Sequence, residues 1–128
     1  MARHAETAFQ IVAAQYLEYA LPPGATWTSI DAGDVKLSPA QASLRKRRGI
    51  KAGWPDMQVL WQGHYIGLEL KAPKWRVRAN QTDVGLSIIE AGGHWESCRS
   101  IADIEAVLRS QGVPLRATTG TPFAPRAA

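Results

Sequence analysis

The chain reads as one α/β domain built on a mixed β-sheet. Three observations predict this. Helix-period and strand-period segments alternate along the sequence, a two-strand hairpin lies near its centre, and 128 residues are too few to bury a second core.

The elements follow in order. Over residues 3–21, Phe9, Val12, Ala13, Tyr16, Leu17 and Ala20 recur at three- and four-residue spacing, which predicts a helix. Pro22, Pro23 and Gly24 end it. Residues 25–30 hold Thr, Trp and Ile and predict a strand, with a turn over 31–34. Ser38 followed by Pro39 starts a second helix, serine capping it and proline taking its first position. That helix is expected to run to about Arg48 and stop at Gly49. Residues 57–61 and 65–71 read as strands joined by the turn Gln62-Gly63-His64, and Pro73 breaks the second. A third helix is expected over residues 80–91, with Val84, Ile88 and Ile89 on one face and Gly92-Gly93 as its stop. Residues 94–98 form a short strand, and Ile101, Ile104, Val107 and Leu108 pattern a last helix over 101–110. The domain is expected to span residues 1–112. Residues 113–128, rich in Pro, Thr and Gly, are expected to form an irregular tail.

Composition narrows the function classes. The chain is 45% hydrophobic and 20% charged, as globular proteins are and disordered or collagenous chains are not. No apolar run approaches the roughly 20 residues of a membrane span. Glu6, Gln10, Gln15 and Glu18 interrupt the first apolar segment, so no signal-peptide core is expected. A single cysteine, Cys98, excludes an internal disulfide and a Cys-cluster zinc site, which makes a reducing intracellular location the default expectation.

Charge is unevenly spread. Between Lys36 and Arg78 stand ten Lys or Arg and two acids, Asp56 and Glu69, a local net of +8; the rest of the chain carries five basic and nine acidic side chains, a net of −4. Such a stretch attracts phosphate backbones, although a solvated basic surface is the plainer reading. Arg45, Lys46, Arg47 and Arg48 would also suit the negative end of a helix dipole. The two surviving acids need an explanation of their own.

The hairpin supplies one. Side chains of a strand alternate between its faces, so Ile66, Leu68 and Leu70 point to a core while Tyr65, Gly67, Glu69 and Lys71 share the other face. Gly67 is expected to leave open space beside the charged pair. An exposed edge strand with a weak ion pair would account for Glu69 and Lys71; a functional site would account for them as well. Asp56 opens the preceding strand after Gly53-Trp54-Pro55, and pairing around Gly63 brings it near Glu69 and Lys71. Two carboxylates so placed suit a hard divalent cation such as Mg²⁺, and a lysine beside them suits a water nucleophile.

Pro55-Asp56 with Glu69-Leu70-Lys71 thirteen positions after the aspartate is similar to the signature of the PD-(D/E)xK nuclease superfamily. The wider pattern runs from Arg48, Gly49 and Ile50 through Gly53-Trp54-Pro55-Asp56, Glu69-Leu70-Lys71 and Gln81 to Gly92-Gly93 before a strand. It resembles the VRR-NUC (virus-type replication-repair nuclease) family in its minimal stand-alone phage and bacterial form, over about residues 4–110. The resemblance implies a restriction-endonuclease-like core and a Mg²⁺- or Mn²⁺-dependent deoxyribonuclease acting on junction, flap or other branched DNA. It further implies a homodimer, and work in replication, repair or recombination within the cytoplasm of a bacterial or phage-infected cell.

By position, the resemblance makes Asp56 and Glu69 the metal carboxylates, Lys71 the catalytic lysine and Glu6 a further acidic ligand, with the Leu70 carbonyl completing the shell. Glu6 shares a helix face with Phe9 and Ala13 and so points toward the sheet; a favourable charge at a helix start is the other reading. Gln81 matches a glutamine early in the third helix, where it would meet a phosphate or water, or would be a plain surface amide. Arg45, Lys46, Arg47, Arg48, Lys51, Lys74, Trp75, Arg76 and Arg78 are expected to bind nucleic acid, Trp75 stacking on a base or else serving as a core or dimer contact. Trp54 is open to packing or DNA contact.

Other chemistries fall away. His4, His64 and His94 lack zinc-like spacing, and His64 is expected in the hairpin turn. Cys98 suits an inert core thiol. Ser43 and Ser87 lack a nucleophile elbow, and without a GxxxxGK[ST] loop no nucleotide cofactor is expected. A catalytically silent nucleic-acid-binding module with the same fold remains the rival.

Overall fold

The computed structural model describes residues 2–30, 36–72 and 76–117. The expected turn over 31–34, Pro73, Lys74, Trp75 and residues 118–128 lie outside the described residues. The order is α1 (Ala2–Ala20), β1 (Thr26–Ser29), α2 (Pro39–Arg47), β2 (Met57–Trp61), β3 (His64–Leu70), α3 (Ala79–Glu90), β4 (His94–Cys98) and α4 (Ile101–Ser110). The strands form one mixed sheet in the order β1-β2-β3-β4. β1 and β2 pair antiparallel, as do β2 and β3, while β3 and β4 pair parallel. A parallel pair needs a crossover, and α3 supplies it. The chain is an α/β protein with a four-stranded mixed sheet flanked by helices, as a restriction-endonuclease-like core requires.

Period-two alternation divides the sheet between two helical layers. On one face Met57, Val59, Ile66, Leu68, Leu70 and Cys98 meet Ala13, Tyr16, Leu17 and Ala20 of α1 and Ile104, Val107 and Leu108 of α4, all buried. Burial pushes the Cys98 thiol up to about 12, with Asp103 and Glu96 adding to the shift, so it is an inert core thiol. On the other face lie Tyr65, Gly67, Glu69 and Trp95 beneath α3. β3 is thus interior to the sheet, and a charged pair on it is no edge-strand feature.

Several expectations change in detail. The hairpin turn has two residues, Gln62 and Gly63, both with positive φ as a type I′ turn requires. His64 pairs with Trp61 as the first residue of β3, and its imidazole bonds Gln111 at 2.6 Å. On α3 the buried residues are Gly85 and Ile88, while Ile89 is 45% exposed. The reason is Trp95, whose ring occupies the volume a side chain at position 85 would need. A Cβ there would stand 2.2 Å from that ring. Gly85→Ala is therefore expected to destabilise the fold by about 1–3 kcal/mol through overpacking. A urea midpoint unchanged from the parent would show that the ring swings aside freely. Residues 113–117 carry no helix or strand but are docked. Val113 and Ala117 are buried, the Arg116 N–H donates to the Ala20 carbonyl at 2.7 Å, and the Tyr16 hydroxyl donates to the Ala117 carbonyl at 3.2 Å. Packing therefore continues past residue 112.

No described helix is long and apolar enough to cross a membrane.

Candidate active site

Three short segments meet at the C-terminal end of β3. The β2–β3 register sets Met57 opposite Leu68, which places Asp56, one step earlier, facing Glu69. Asp56 is held there by its own backbone, whose carbonyl accepts from Ile30 N–H at 2.9 Å, and by Oδ2, which accepts from Leu70 N–H at 2.8 Å. The approach to Asp56 is equally constrained. Pro55 is fully buried against Gly67, where a Cβ would come within 2.6 Å of the proline ring. Gly67 does not leave open space beside the charged pair, as its sequence position suggested; the proline fills it. Gly53, at φ +92°, lets the preceding loop pass under α3, with the Asn80 carbonyl 2.7 Å from where a Cβ would stand. Trp54 packs edge-on against Tyr65, ring centroids 6.4 Å apart, which gives it a packing role.

Glu69 is wholly buried. Its Oε2 accepts from Gln81 Nε2 at 2.8 Å. Gln81 sits at the third position of α3, and its Oε1 accepts from Arg78 N–H at 3.0 Å, so the helix start fixes which end of the amide faces the carboxylate. Glu69 Oε1 has no hydrogen-bond partner. Burial, followed by the charge and hydrogen-bonding proximity of Asp56, pushes the Glu69 carboxyl up to about 9; Lys71 opposes the shift and Glu6 adds to it. The Asp56–Glu69 pair is therefore one cation, or one proton, short of electrostatic balance.

Lys71 follows β3 directly and is 5% exposed. Its N–H donates to the Cys98 carbonyl at 3.0 Å. The ammonium lies 3.7 Å from Glu6 Oε1 at the start of α1. Glu6 thus meets the lysine. Among the described residues no group of three His, Cys, Asp or Glu side chains is placed to hold a metal ion together. Arg99, which the sequence reading passed over, donates from Nη1 to the Ala72 carbonyl at 2.7 Å and ties down the chain just beyond Lys71. No spacing in the sequence marks that arginine, because the contact spans 27 positions and its acceptor is a backbone atom.

The five polar side chains singled out in the sequence, Glu6, Asp56, Glu69, Lys71 and Gln81, are brought together. Leu70 contributes main chain only, since its side chain is in the core. The donor set fits a hard divalent cation: two carboxylates, one of them carrying a buried oxygen without a partner, with the Leu70 main chain tied to Asp56 through its N–H. Around this centre Arg76 and Arg78 are exposed where the chain enters α3. Lys46, Arg47, Arg48 and Lys51 are exposed on and after α2, with Arg45 half-buried. Comparison with protein-family models, with curated proteins and with solved structures finds no match to this chain.

Proposed function

We propose that the chain is a metal-dependent deoxyribonuclease of the PD-(D/E)xK type, similar to the stand-alone VRR-NUC proteins. The observation that carries this reading is the buried Asp56–Glu69 pair, with Glu69 Oε1 unpartnered, beside the buried ammonium of Lys71. Asp56, Glu69 and the Leu70 carbonyl would hold Mg²⁺ or Mn²⁺. The ion, when bound, would neutralise phosphate charge and lower the pKa of a water. Lys71 would orient and polarise the attacking water. Glu6 holds the ammonium in place through their ion pair, beside the further ligand role that the resemblance implies for it. Gln81 keeps Glu69 aimed by donating to Oε2, leaving Oε1 free to bind.

The basic residues Arg45, Lys46, Arg47, Arg48, Lys51, Arg76 and Arg78, with Lys74 and Trp75 between them in sequence, would grip the substrate backbone. Branched or junction DNA is the substrate class this reading favours. A homodimer spanning two arms of the branch suits a domain of this size, in replication, repair or recombination in a bacterial or phage-infected cell.

The test is cleavage of labelled duplex, single-strand, flap, fork and four-way-junction DNA with Mg²⁺, Mn²⁺ or EDTA, beside Asp56→Asn. Metal-dependent cutting that Asp56→Asn loses supports the proposal. Binding without cutting of any substrate overturns it in favour of a silent binding module.

A further inference from the structure

We infer that α2 is an arm that inserts into a groove of double-stranded nucleic acid, with phosphates on both of its sides. The inference rests on the nucleic-acid reading above and adds where, and in what geometry, the duplex is held.

α2 is unlike the other helices. None of its nine residues is buried, and Leu44 is 48% exposed. Among the described residues, every hydrogen bond made by residues 38–50 closes within that segment. Ser38 Oγ accepts from Gln41 N–H, Gln41 Oε1 accepts from Ser38 N–H, and Arg48, Gly49 and Ile50 donate back to Leu44, Lys46 and Arg45. Capping therefore holds the helix at both ends, while none of its side chains is anchored in the core. An isolated helix shorter than about 12 residues is marginal in water, so a nine-residue helix with no buried face is a sequence suited to a partner.

The charges identify the partner. Residues 36–55 contain six Lys or Arg and no acid. Among the described residues none of Arg45, Lys46, Arg47, Arg48 and Lys51 is in an ion pair. Complementing a helix dipole asks for about half a charge and acts within one turn; four consecutive cations exceed that, and Lys51 lies beyond the helix. Their arrangement is the decisive feature. Successive helical residues are about 100° apart, so four in a row are distributed around the whole circumference. A ring of cations cannot lay itself on a flat anionic surface, because part of it always points away. It matches a channel walled by phosphates, and the major groove, about 12 Å wide, admits an α-helix. A lipid surface would instead favour one basic face and one apolar face.

The test uses Asp56→Asn protein in EDTA, so that binding is read without cleavage. Probes are a short DNA duplex, the matching single strand and phosphatidylserine vesicles. Two paired variants divide the ring: Arg45→Gln with Arg48→Gln, and Lys46→Gln with Arg47→Gln. Glutamine keeps helix propensity, and no core contact is lost. Each pair is expected to reduce the slope of log affinity against log salt by about two on duplex DNA, and the four together by about four. Amides of residues 42–50 are expected to gain hydrogen-exchange protection in the duplex complex. A slope that responds to one pair only, or equal loss on single strands, overturns insertion into a groove. Unchanged duplex binding by the quadruple variant, or tighter binding to vesicles than to duplex, overturns the arm altogether. Cleavage failing while these slopes hold would sink the nuclease reading and leave the arm standing.

Discussion

Lys71→Ala is expected to lower the single-turnover rate of metal-dependent cleavage by about 10²–10⁴-fold, the range a positioned proton-transfer or polarising group supplies. Its binding of uncut DNA in EDTA should change little, because one largely buried side chain adds little to the contacts of the exposed basic residues. The substitution also removes the one cation that opposes the upward shift of Glu69. Metal affinity should change as well, since losing the ammonium favours the protonated carboxyl yet removes a charge that repels a divalent ion, so the rate must be compared at saturating Mn²⁺. Lys71→Arg is expected to recover metal affinity and little of the rate. A guanidinium is charged at every working pH, is bulkier, and presents planar donors in place of a compact ammonium. A Lys71→Ala protein that cuts at the parental rate under saturating metal would remove the lysine from the chemistry. A Glu6→Gln protein should fall between Lys71→Ala and the parent, since Glu6 is itself 38% exposed and bears on the ammonium from 3.7 Å away.

Which parts of this were legible in the sequence follows from the range of the interactions involved. Ser38-Pro39, Gly49, Gly63 and Gly92 punctuate the chain through their own backbone preferences, so α2, the hairpin and the end of α3 could be placed from local reading. Alternation over residues 64–70 separated the core face from the charged face, and the hairpin register then carried Asp56 to Glu69. Local reading failed where a residue's environment is set by a distant partner. Gly67 looks like vacant space until Pro55 is seen against it, and Ile89 looks like core until Trp95 is found at Gly85. The same holds for Arg99 at Ala72 and for Ala117 beneath Tyr16. The pairing of Glu6 with Lys71 was half visible: helix periodicity aimed Glu6 toward the sheet, but which charge it would meet depended on how α1 crosses the end of β3.

Glu69→Gln is expected to reverse the usual sign of an active-site substitution, costing function while stabilising the metal-free protein at alkaline pH. The Glu69 carboxyl lies at about 9 in the folded chain against an ordinary value of 4.5. Between those values the folded protein holds a proton that the unfolded chain has released, so stability falls as pH rises, with a slope of at most about 1.4 kcal/mol per pH unit for one proton. The contribution is complete below 4.5 and is lost as pH climbs through 9. Urea midpoints of metal-free parent protein should therefore decline across that window, and those of Glu69→Gln should decline less. A divalent cation acts on the same balance from the other side. Binding it requires the carboxylate, so the proton must leave, and affinity rises with pH. Added Mn²⁺ should raise the melting temperature of the parent more at pH 9 than at pH 6, because at pH 6 a proton on Glu69 already relieves the pair, while at pH 9 the ion does so instead. In Glu69→Gln that pH-dependent gain should vanish. An equal Mn²⁺ effect in parent and variant would place the ion somewhere other than between these two carboxylates. A parent midpoint independent of pH would mean that Glu69 is already ionised in the fold, with Lys71 alone balancing its charge.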